Sequence, residues 1–178
     1  MKYLVVYKSK TGFTEKYAQW IAKELSADIY TYQEINKENF KDYDVIIYGG
    51  NLHAVGIEGI RLIKDNLDEL QEKRIIVFAV GATPFRKDTV EEIKHNNFTE
   101  EQLEKIQVFY LRGGFNYNKL PLIDKFLMKL LQLKLKRKKS LTADEKGMLN
   151  AYNKPVDFTR RENIDDIISF IQSLKSAQ

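Results

Sequence analysis

The side chains best suited to chemistry lie in one short loop near the start of the chain. Ser9, Thr11 and Thr14 place three hydroxyl groups around Gly12, directly after an apolar run and directly before a helical pattern. Hydroxyls, a glycine that permits a tight turn, and free N–H groups at a helix N-terminus together bind a phosphate. The same residue types also occur as plain helix caps, which need no ligand. We interpret the loop as a phosphate site and keep the cap as the alternative.

Other chemistries are excluded by what the chain lacks. Phe13 follows Gly12, so the nucleoside triphosphate loop GxxxxGK[ST] is not formed, and the dinucleotide fingerprint GxGxxG is also missing. The absence of cysteine excludes a thiolate nucleophile, a disulfide framework and a dithiol redox centre. His53 and His95 lie far apart without an HExxH pattern, so no metal site is expected. Any redox chemistry must therefore come from a bound cofactor, and no catalytic base or nucleophile is predicted.

Alternating strand and helix patterns position this loop. Unbroken apolar runs predict five strands, at residues 2–7, 29–32, 45–48, 75–80 and 108–111. Apolar residues at helical spacing predict helices at residues 13–25, 60–70 and about 163–174. Such alternation predicts an α/β fold, a doubly wound five-stranded parallel sheet with helices on both faces. Its ligand site is expected at the carboxyl ends of the strands, where the hydroxyl loop lies.

Length and composition predict one domain spanning residues 1–178. The chain is 43% hydrophobic and 30% charged, with a mean hydropathy of −0.44, which is typical of a soluble globular protein. The N-terminal apolar run is too short for a signal peptide, and no stretch has the roughly 20 apolar residues of a membrane span. We therefore expect a cytoplasmic protein.

The pattern S-x-T-G-x-T after the first strand resembles the FMN-phosphate loop of the flavodoxin family. Two other families with this architecture do not fit. A response regulator needs acidic residues where this chain has Lys8-Ser9 and Gly49-Gly50, and a low-molecular-weight tyrosine phosphatase needs a cysteine in the first loop. The resemblance implies FMN as cofactor and the strand order 2-1-3-4-5.

The loops after the third and fourth strands fall where flavodoxins hold the flavin ring. Small residues there let backbone amides approach a flat heterocycle and adjust its redox potential. Leu52 and His53 are predicted to border the ring, with an ordinary loop histidine as the alternative. Phe85 stands in for the tyrosine that many flavodoxins place over the ring, or simply packs. The predicted cofactor contacts are Ser9, Lys10, Thr11, Gly12, Phe13, Thr14, Gly50, Asn51, Leu52, His53, Gly81, Ala82, Thr83, Pro84 and Phe85.

A long insertion, at about residues 112–160, separates the fifth strand from the last helix. Residues 112–139 hold nine basic residues against one acid, a charge of +8, which leaves −4 on the rest of the chain. Within it, a helical pattern places Ile123, Phe126, Leu127, Leu130 and Leu131 on one face, and Lys125, Lys129, Gln132 and Lys136 on the other. Such a basic amphipathic helix is typical of peripheral contact with an anionic membrane, here through residues 119–139, at about 1 kcal/mol per basic residue. Packing on the domain or a homodimer interface are the alternatives, and nucleic-acid binding is not expected because no recognition module accompanies the lysines.

The insertion also resembles one branch of the flavodoxin-like proteins, the menaquinone-dependent protoporphyrinogen dehydrogenases. The resemblance is carried by G-G-F-N-Y at residues 113–117, I-D-K-F-L-M-K-L-L at residues 123–131, and Asp157-Phe158-Thr159. It implies a membrane-associated flavin dehydrogenase that passes electrons to a quinone. Two other functions remain open: an electron carrier that docks on protein partners, and a non-redox interaction module that has lost its flavin.

Overall fold

Five parallel strands form the central sheet. The computed structural model describes residues 1–176, and the side chains of all of these except residues 144, 175 and 176. The strands are β1 (Tyr3–Lys8), β2 (Asp28–Thr31), β3 (Val45–His53), β5 (Arg74–Gly81) and β6 (Ile106–Arg112), with the two-residue strand β4 (Gly56–Ile57) returning antiparallel on β3. Their spatial order is β2-β1-β3-β5-β6. With β4 set aside, this confirms the predicted order 2-1-3-4-5.

Seven helices accompany the described strands. They are α1 (Phe13–Leu25), α2 (Arg61–Lys64), α3 (Lys87–Asn97), α4 (Glu100–Leu103), α5 (Leu122–Lys136), α6 (Ala143–Asn153) and α7 (Asp165–Ser176). Short 3-10 turns occur at Lys37–Asp42, Tyr117–Lys119 and Arg161–Ile164.

The helix predicted over residues 60–70 is wrong in length, because α2 ends at Lys64 and turns follow. The Asn66 amide donates to the Leu62 carbonyl at 2.7 Å. Asp and Asn side chains compete with helical backbone hydrogen bonds in this way and favour turns. Apolar spacing alone therefore overestimated this helix.

The sheet buries a separate core on each face. On β3, Ile46 and Tyr48 point to the face covered by α2 and α3, while Val45 and Ile47 point to the face covered by α1 and α7. All four side chains are fully buried. This double burial explains why the strands are unbroken apolar runs rather than alternating ones, and it confirms the predicted helices on both faces.

The insertion leaves and rejoins the body at one point. Strand β7 (Gly114–Phe115) pairs antiparallel with β8 (Val156–Asp157), and the Phe158 amide donates to the Gly113 carbonyl at 2.8 Å. Along the chain, helices α5 and α6 follow β7 and precede β8. Both ends of the excursion are therefore fixed at the carboxyl end of β6, next to the predicted ligand site.

Candidate cofactor site

The hydroxyl loop bridges β1 and α1 in one tight turn. Gly12 adopts a φ of +93°, a conformation that L side chains rarely adopt. The Ser9 hydroxyl accepts a hydrogen bond from the Gly12 amide at 3.1 Å and closes the turn. Gly12 itself is the N-cap of α1, so no hydroxyl of the loop sits at the capping position.

The buried side chain of Thr14 indicates that this loop binds a ligand. Its side chain is 1% exposed, and its Oγ1 atom is buried without a hydrogen-bond partner. A buried hydroxyl left unpaired costs about 1–3 kcal/mol. Since Thr14 lines the cavity described next, an anionic oxygen bound there would supply the missing acceptor. The residues of this loop therefore fit a phosphate.

A cavity of about 360 Å³ opens beside this loop at the carboxyl ends of the strands. This volume lies within the ordinary range for small-molecule sites. Nine of the predicted cofactor contacts line it: Lys10, Thr11, Phe13, Thr14, Asn51, Leu52, His53, Gly81 and Ala82. The structure thus brings the hydroxyl loop and both predicted ring loops to one cavity. Asn51 Oδ1 is also buried without a partner and offers an acceptor there.

The other six predicted contacts do not line the cavity. Ser9 and Gly12 shape the loop, while Gly50 lies against β4, where an added Cβ would come within 2.5 Å of Ile57. The Thr83 carbonyl accepts from the Tyr110 hydroxyl at 2.6 Å, and Pro84 is likewise outside the lining. Phe85 is 65% exposed and borders a separate groove beside β6. Phe85 therefore does not face this cavity, and it does not lie where a side chain covering the flavin ring was expected.

The insertion forms the second wall of the cavity, which the sequence did not indicate. The insertion contributes eight lining residues, and Ala54 and Val80 of the body complete the lining; the eight are Gly114, Phe115, Asn116, Leu120, Asp124, Leu127, Met128 and Met148. Most are apolar or aromatic, which suits the faces of a flat ring. One signal in the sequence was available: Asp124 is the single acid among the nine basic residues of 112–139.

One lysine of the hydroxyl loop is held between two carboxylates. Lys10 Nζ lies 2.6 Å from Glu58 Oε1 and 3.0 Å from Asp124 Oδ2, and His53 Nδ1 lies 4.0 Å from Asp124 Oδ1. Burial opposes the charge on Lys10, but hydrogen bonds and charge from both carboxylates outweigh it and raise the Lys10 pKa. Because its charge is already matched, Lys10 is not a free cation for a phosphate. Amide and hydroxyl groups are left to hold that group.

The arrangement favours binding over covalent catalysis. One end of the cavity offers amides and hydroxyls, and the other offers apolar walls with a few polar groups. Among the residues of 1–176 whose side chains the structure describes, no grouping of three or more His, Asp or Glu side chains is placed to hold a metal ion. In the same part of the chain, no helix is both long and apolar enough to cross a membrane.

Residues 4–142 match the family model described as a flavodoxin domain. The chain belongs to the flavodoxin domain family. This membership supports FMN, the cofactor that the loop after β1 predicts. It leaves the protoporphyrinogen dehydrogenase branch, which was predicted from the insertion, as a proposal.

Similar proteins match about two thirds of this chain. An uncharacterised protein of Methanocaldococcus jannaschii, MJ0298, is 29% identical over 120 residues, which cover 66% of this chain and 79% of that protein. Among solved structures, the Trp repressor binding protein of Bacillus subtilis is 18% identical with a TM-score of 0.47, over 65% of this chain and 85% of that one. A flavoprotein of Lactobacillus acidophilus in complex with FMN is 19% identical with a TM-score of 0.39, over 62% and 91% of the two chains.

Proposed function

We propose that this protein is an FMN-dependent oxidoreductase. The observation that carries the proposal is the buried, unpartnered Thr14 hydroxyl in a glycine-turned loop at the edge of the cavity. Flavodoxin family membership supports the same cofactor. When bound, FMN would supply the electron-transfer chemistry that a chain without cysteine cannot supply itself.

Different residues of the chain would bind the phosphate and the ring of FMN. The turn at Gly12, together with Thr11 and Thr14, would hold the phosphate through amides and hydroxyls. Asn51, with its unpartnered side-chain oxygen, would hydrogen-bond to a polar edge of the ring. The apolar wall of the insertion would exclude water from the ring, which strengthens every polar contact inside the site.

The insertion also supports a place for this enzyme at an anionic membrane. Helix α5 turns large apolar side chains to solvent: Leu122 is 84% exposed, Ile123 76% and Phe126 65%. Leu127, Leu130 and Leu133 continue the same exposed surface. The eight basic residues of 119–139 lie on or beside the same helix. Exposed apolar area combined with positive charge matches the two attractions of an anionic bilayer, burial of apolar groups and electrostatics.

The electron acceptor that we propose is a molecule dissolved in that bilayer. In the branch that the insertion resembles, electrons pass to a quinone. We assign the same class of acceptor here because α5 carries both the exposed apolar face and the cavity-lining residues Leu127 and Met128.

The cofactor is tested by the visible spectrum of the purified protein and by titration of the apoprotein with FMN and riboflavin. Flavin absorbance and tighter binding of FMN than of riboflavin are expected, because only FMN carries the phosphate. Equal binding of both flavins would contradict the phosphate assignment. If neither flavin binds, the redox function is wrong and the non-redox interaction module takes its place.

The membrane is tested by co-sedimentation with anionic and neutral vesicles at low and high salt. Binding to anionic vesicles is expected, and it should weaken with salt because the charges are exposed. Phe126→Ser should weaken binding about tenfold or more, since burying a Phe side chain contributes about 1.5–3 kcal/mol. Phe85→Ser is the matched control, because Phe85 has the same 65% exposure on another surface.

If the protein does not bind anionic vesicles even at low salt, the proposed contact with an anionic membrane is wrong. The electron carrier that docks on proteins would then be favoured.

A further inference from the structure

The insertion packs on itself. The Tyr152 ring lies 5.3 Å from the rings of both Phe115 and Tyr117. The Tyr152 hydroxyl donates to the Met128 carbonyl at 2.6 Å, and the Tyr117 hydroxyl donates to the Lys125 carbonyl at 3.3 Å. These contacts join α5, α6 and the strand at the base of the insertion. The insertion therefore has its own small aromatic centre, in addition to its base at the β7–β8 ladder.

Away from that base, Asp124 on the first turn of α5 joins the insertion to the body. Its carboxylate forms the 3.0 Å ion pair with Lys10 and faces His53 at 4.0 Å. The side chain of Asp124 is only 14% exposed and that of Lys10 only 26%. Lys10 and Asp124 are 114 residues apart in sequence. The ion pair therefore joins the phosphate loop directly to the insertion.

The contact of Asp124 with Lys10 also fixes the position of the residues that form the cavity wall. Leu127 and Met128 follow Asp124 by three and four residues, so the three side chains lie on neighbouring positions of one helix face. All three line the cavity. When the Asp124 carboxylate is fixed on Lys10, Leu127 and Met128 are fixed over the space beside the phosphate loop.

We propose that Asp124 is a positioning residue of the cofactor site: its ion pair with Lys10 docks helix α5 on the phosphate loop and so closes the wall of the flavin cavity. The proposal rests on the proposed FMN function. It adds that flavin retention depends on an insertion residue far from the flavodoxin loops in sequence. Glu58 stays with Lys10 on the body side when α5 moves away, so Lys10 keeps a partner in the open form.

The first test needs no cofactor. The eight lysines and arginines at residues 119–139 are trypsin sites on or beside α5, and cleavage there reports how firmly the helix is docked. Asp124→Asn should speed cleavage at these sites several-fold in the apoprotein, with cleavage elsewhere unchanged. Glu91→Gln is the control, because it removes an exposed ion pair with Lys94 on α3, away from the insertion. Equal cleavage of Asp124→Asn and wild type would overturn the proposal.

The second test measures FMN dissociation. Because Asp124→Asn would loosen the helix that closes the cavity wall, it should release FMN about tenfold faster. Lys10→Met should release it faster still, because Glu58 and Asp124 then face each other as like charges. Lys10→Arg should restore slow release and the wild-type circular dichroism of the bound flavin, since it keeps the positive charge.

The outcomes separate the two proposals. If wild type does not bind FMN but Asp124→Asn speeds trypsin cleavage, the docking role stands and the proposed cofactor fails. If wild type binds FMN and Asp124→Asn leaves both its release and the cleavage unchanged, the docking role fails while the FMN function stands. If Lys10→Arg releases FMN as fast as Lys10→Met, the ion pair is not the cause and the proposal is wrong.

Discussion

Thr14 shows how a single buried atom can identify a ligand group. Its hydroxyl faces no acceptor in the folded chain, although buried polar groups are nearly always hydrogen-bonded. Ser9, three residues before Gly12, has a defined role in closing the turn. Of the three hydroxyls that the sequence singled out, only that of Thr14 is buried without a hydrogen-bond partner. A ligand in the cavity beside it would provide the missing acceptor.

Replacing Thr14 by Val tests this assignment. FMN affinity should fall about 10- to 100-fold, because a hydrogen bond to a charged group contributes about 1.5–3 kcal/mol. The free energy of unfolding of the apoprotein should stay equal or rise, since Val removes a hydroxyl that has no partner. Fluorescence titration and urea unfolding give the two values. Thr89→Val on α3 is the control, and a matching loss of riboflavin affinity would contradict a phosphate role.

Lys10 predicts a pH dependence of stability. Its pKa is raised above the ordinary value of 10.5 despite burial, because Glu58 and Asp124 stabilise the charged form. A raised pKa in the folded state means that the contribution is complete below the unfolded pKa and disappears as the pH rises through the folded one. The difference in unfolding free energy between wild type and Lys10→Met should stay constant from pH 7 to about 10 and then shrink. A difference that already shrinks between pH 7 and 9 would contradict this.

At the scale of elements, the β7–β8 ladder is what allows a long insertion to leave the sheet. It pairs Gly114 with Asp157 and Phe115 with Val156. The glycine is required by close approach, because an added Cβ at Gly114 would lie 2.2 Å from the Val156 carbonyl and 2.7 Å from the Phe13 ring. The ladder therefore packs against the residue that begins α1, and the insertion base and the phosphate loop are held together.

Two glycine substitutions separate this effect from helix propensity. Gly114→Ala should destabilise the protein by about 1–3 kcal/mol, because the strand pair must move to admit the methyl group. Gly147→Ala within α6 should stabilise it by about 0.5–1 kcal/mol, since nothing lies within 4 Å of the added Cβ. Urea unfolding of both variants provides the comparison. Similar changes in both would show that the close approach at Gly114 is not required.

At the scale of the whole molecule, stability comes from two cores separated by one sheet. Ile46 and Ile47 are adjacent in sequence and both fully buried, but they contribute to opposite cores. A sheet with only one covered face would bury one of them and expose the other. We therefore expect the two helical layers to have comparable importance for folding.

Truncation of each isoleucine tests this equality. Ile46→Ala and Ile47→Ala should each cost about 2–5 kcal/mol, the usual range for buried Ile→Ala changes. Ile29→Ala on the edge strand β2, where Ile29 is 37% exposed, should cost much less. Denaturant unfolding measures all three. A small effect for only one of the buried pair would show that one face of the sheet is loosely packed.

The sequence predicted the sheet well because each strand is an apolar run and each strand end carries a turn signal. It predicted helix lengths less well, since Asn66 ended α2 early through a local hydrogen bond. It did not indicate the β7–β8 ladder, which consists of two residues on each side, or α6, whose sequence lacks a clear apolar stripe. Phe85 shows the same limit: proximity in sequence to a ring loop did not place it in the cavity.

By itself, the sequence determined the α/β class, the strand order through its family resemblance, and nine of the residues that line the cavity. These features depend on local periods and on loops at the carboxyl ends of strands, where parallel topology brings them together. Only the tertiary structure decided that the insertion forms the second wall, that α5 exposes its apolar face, and that Asp124 meets Lys10. The physical reason is that an ion pair across 114 residues depends on where two separate elements are packed, and no local pattern encodes that distance.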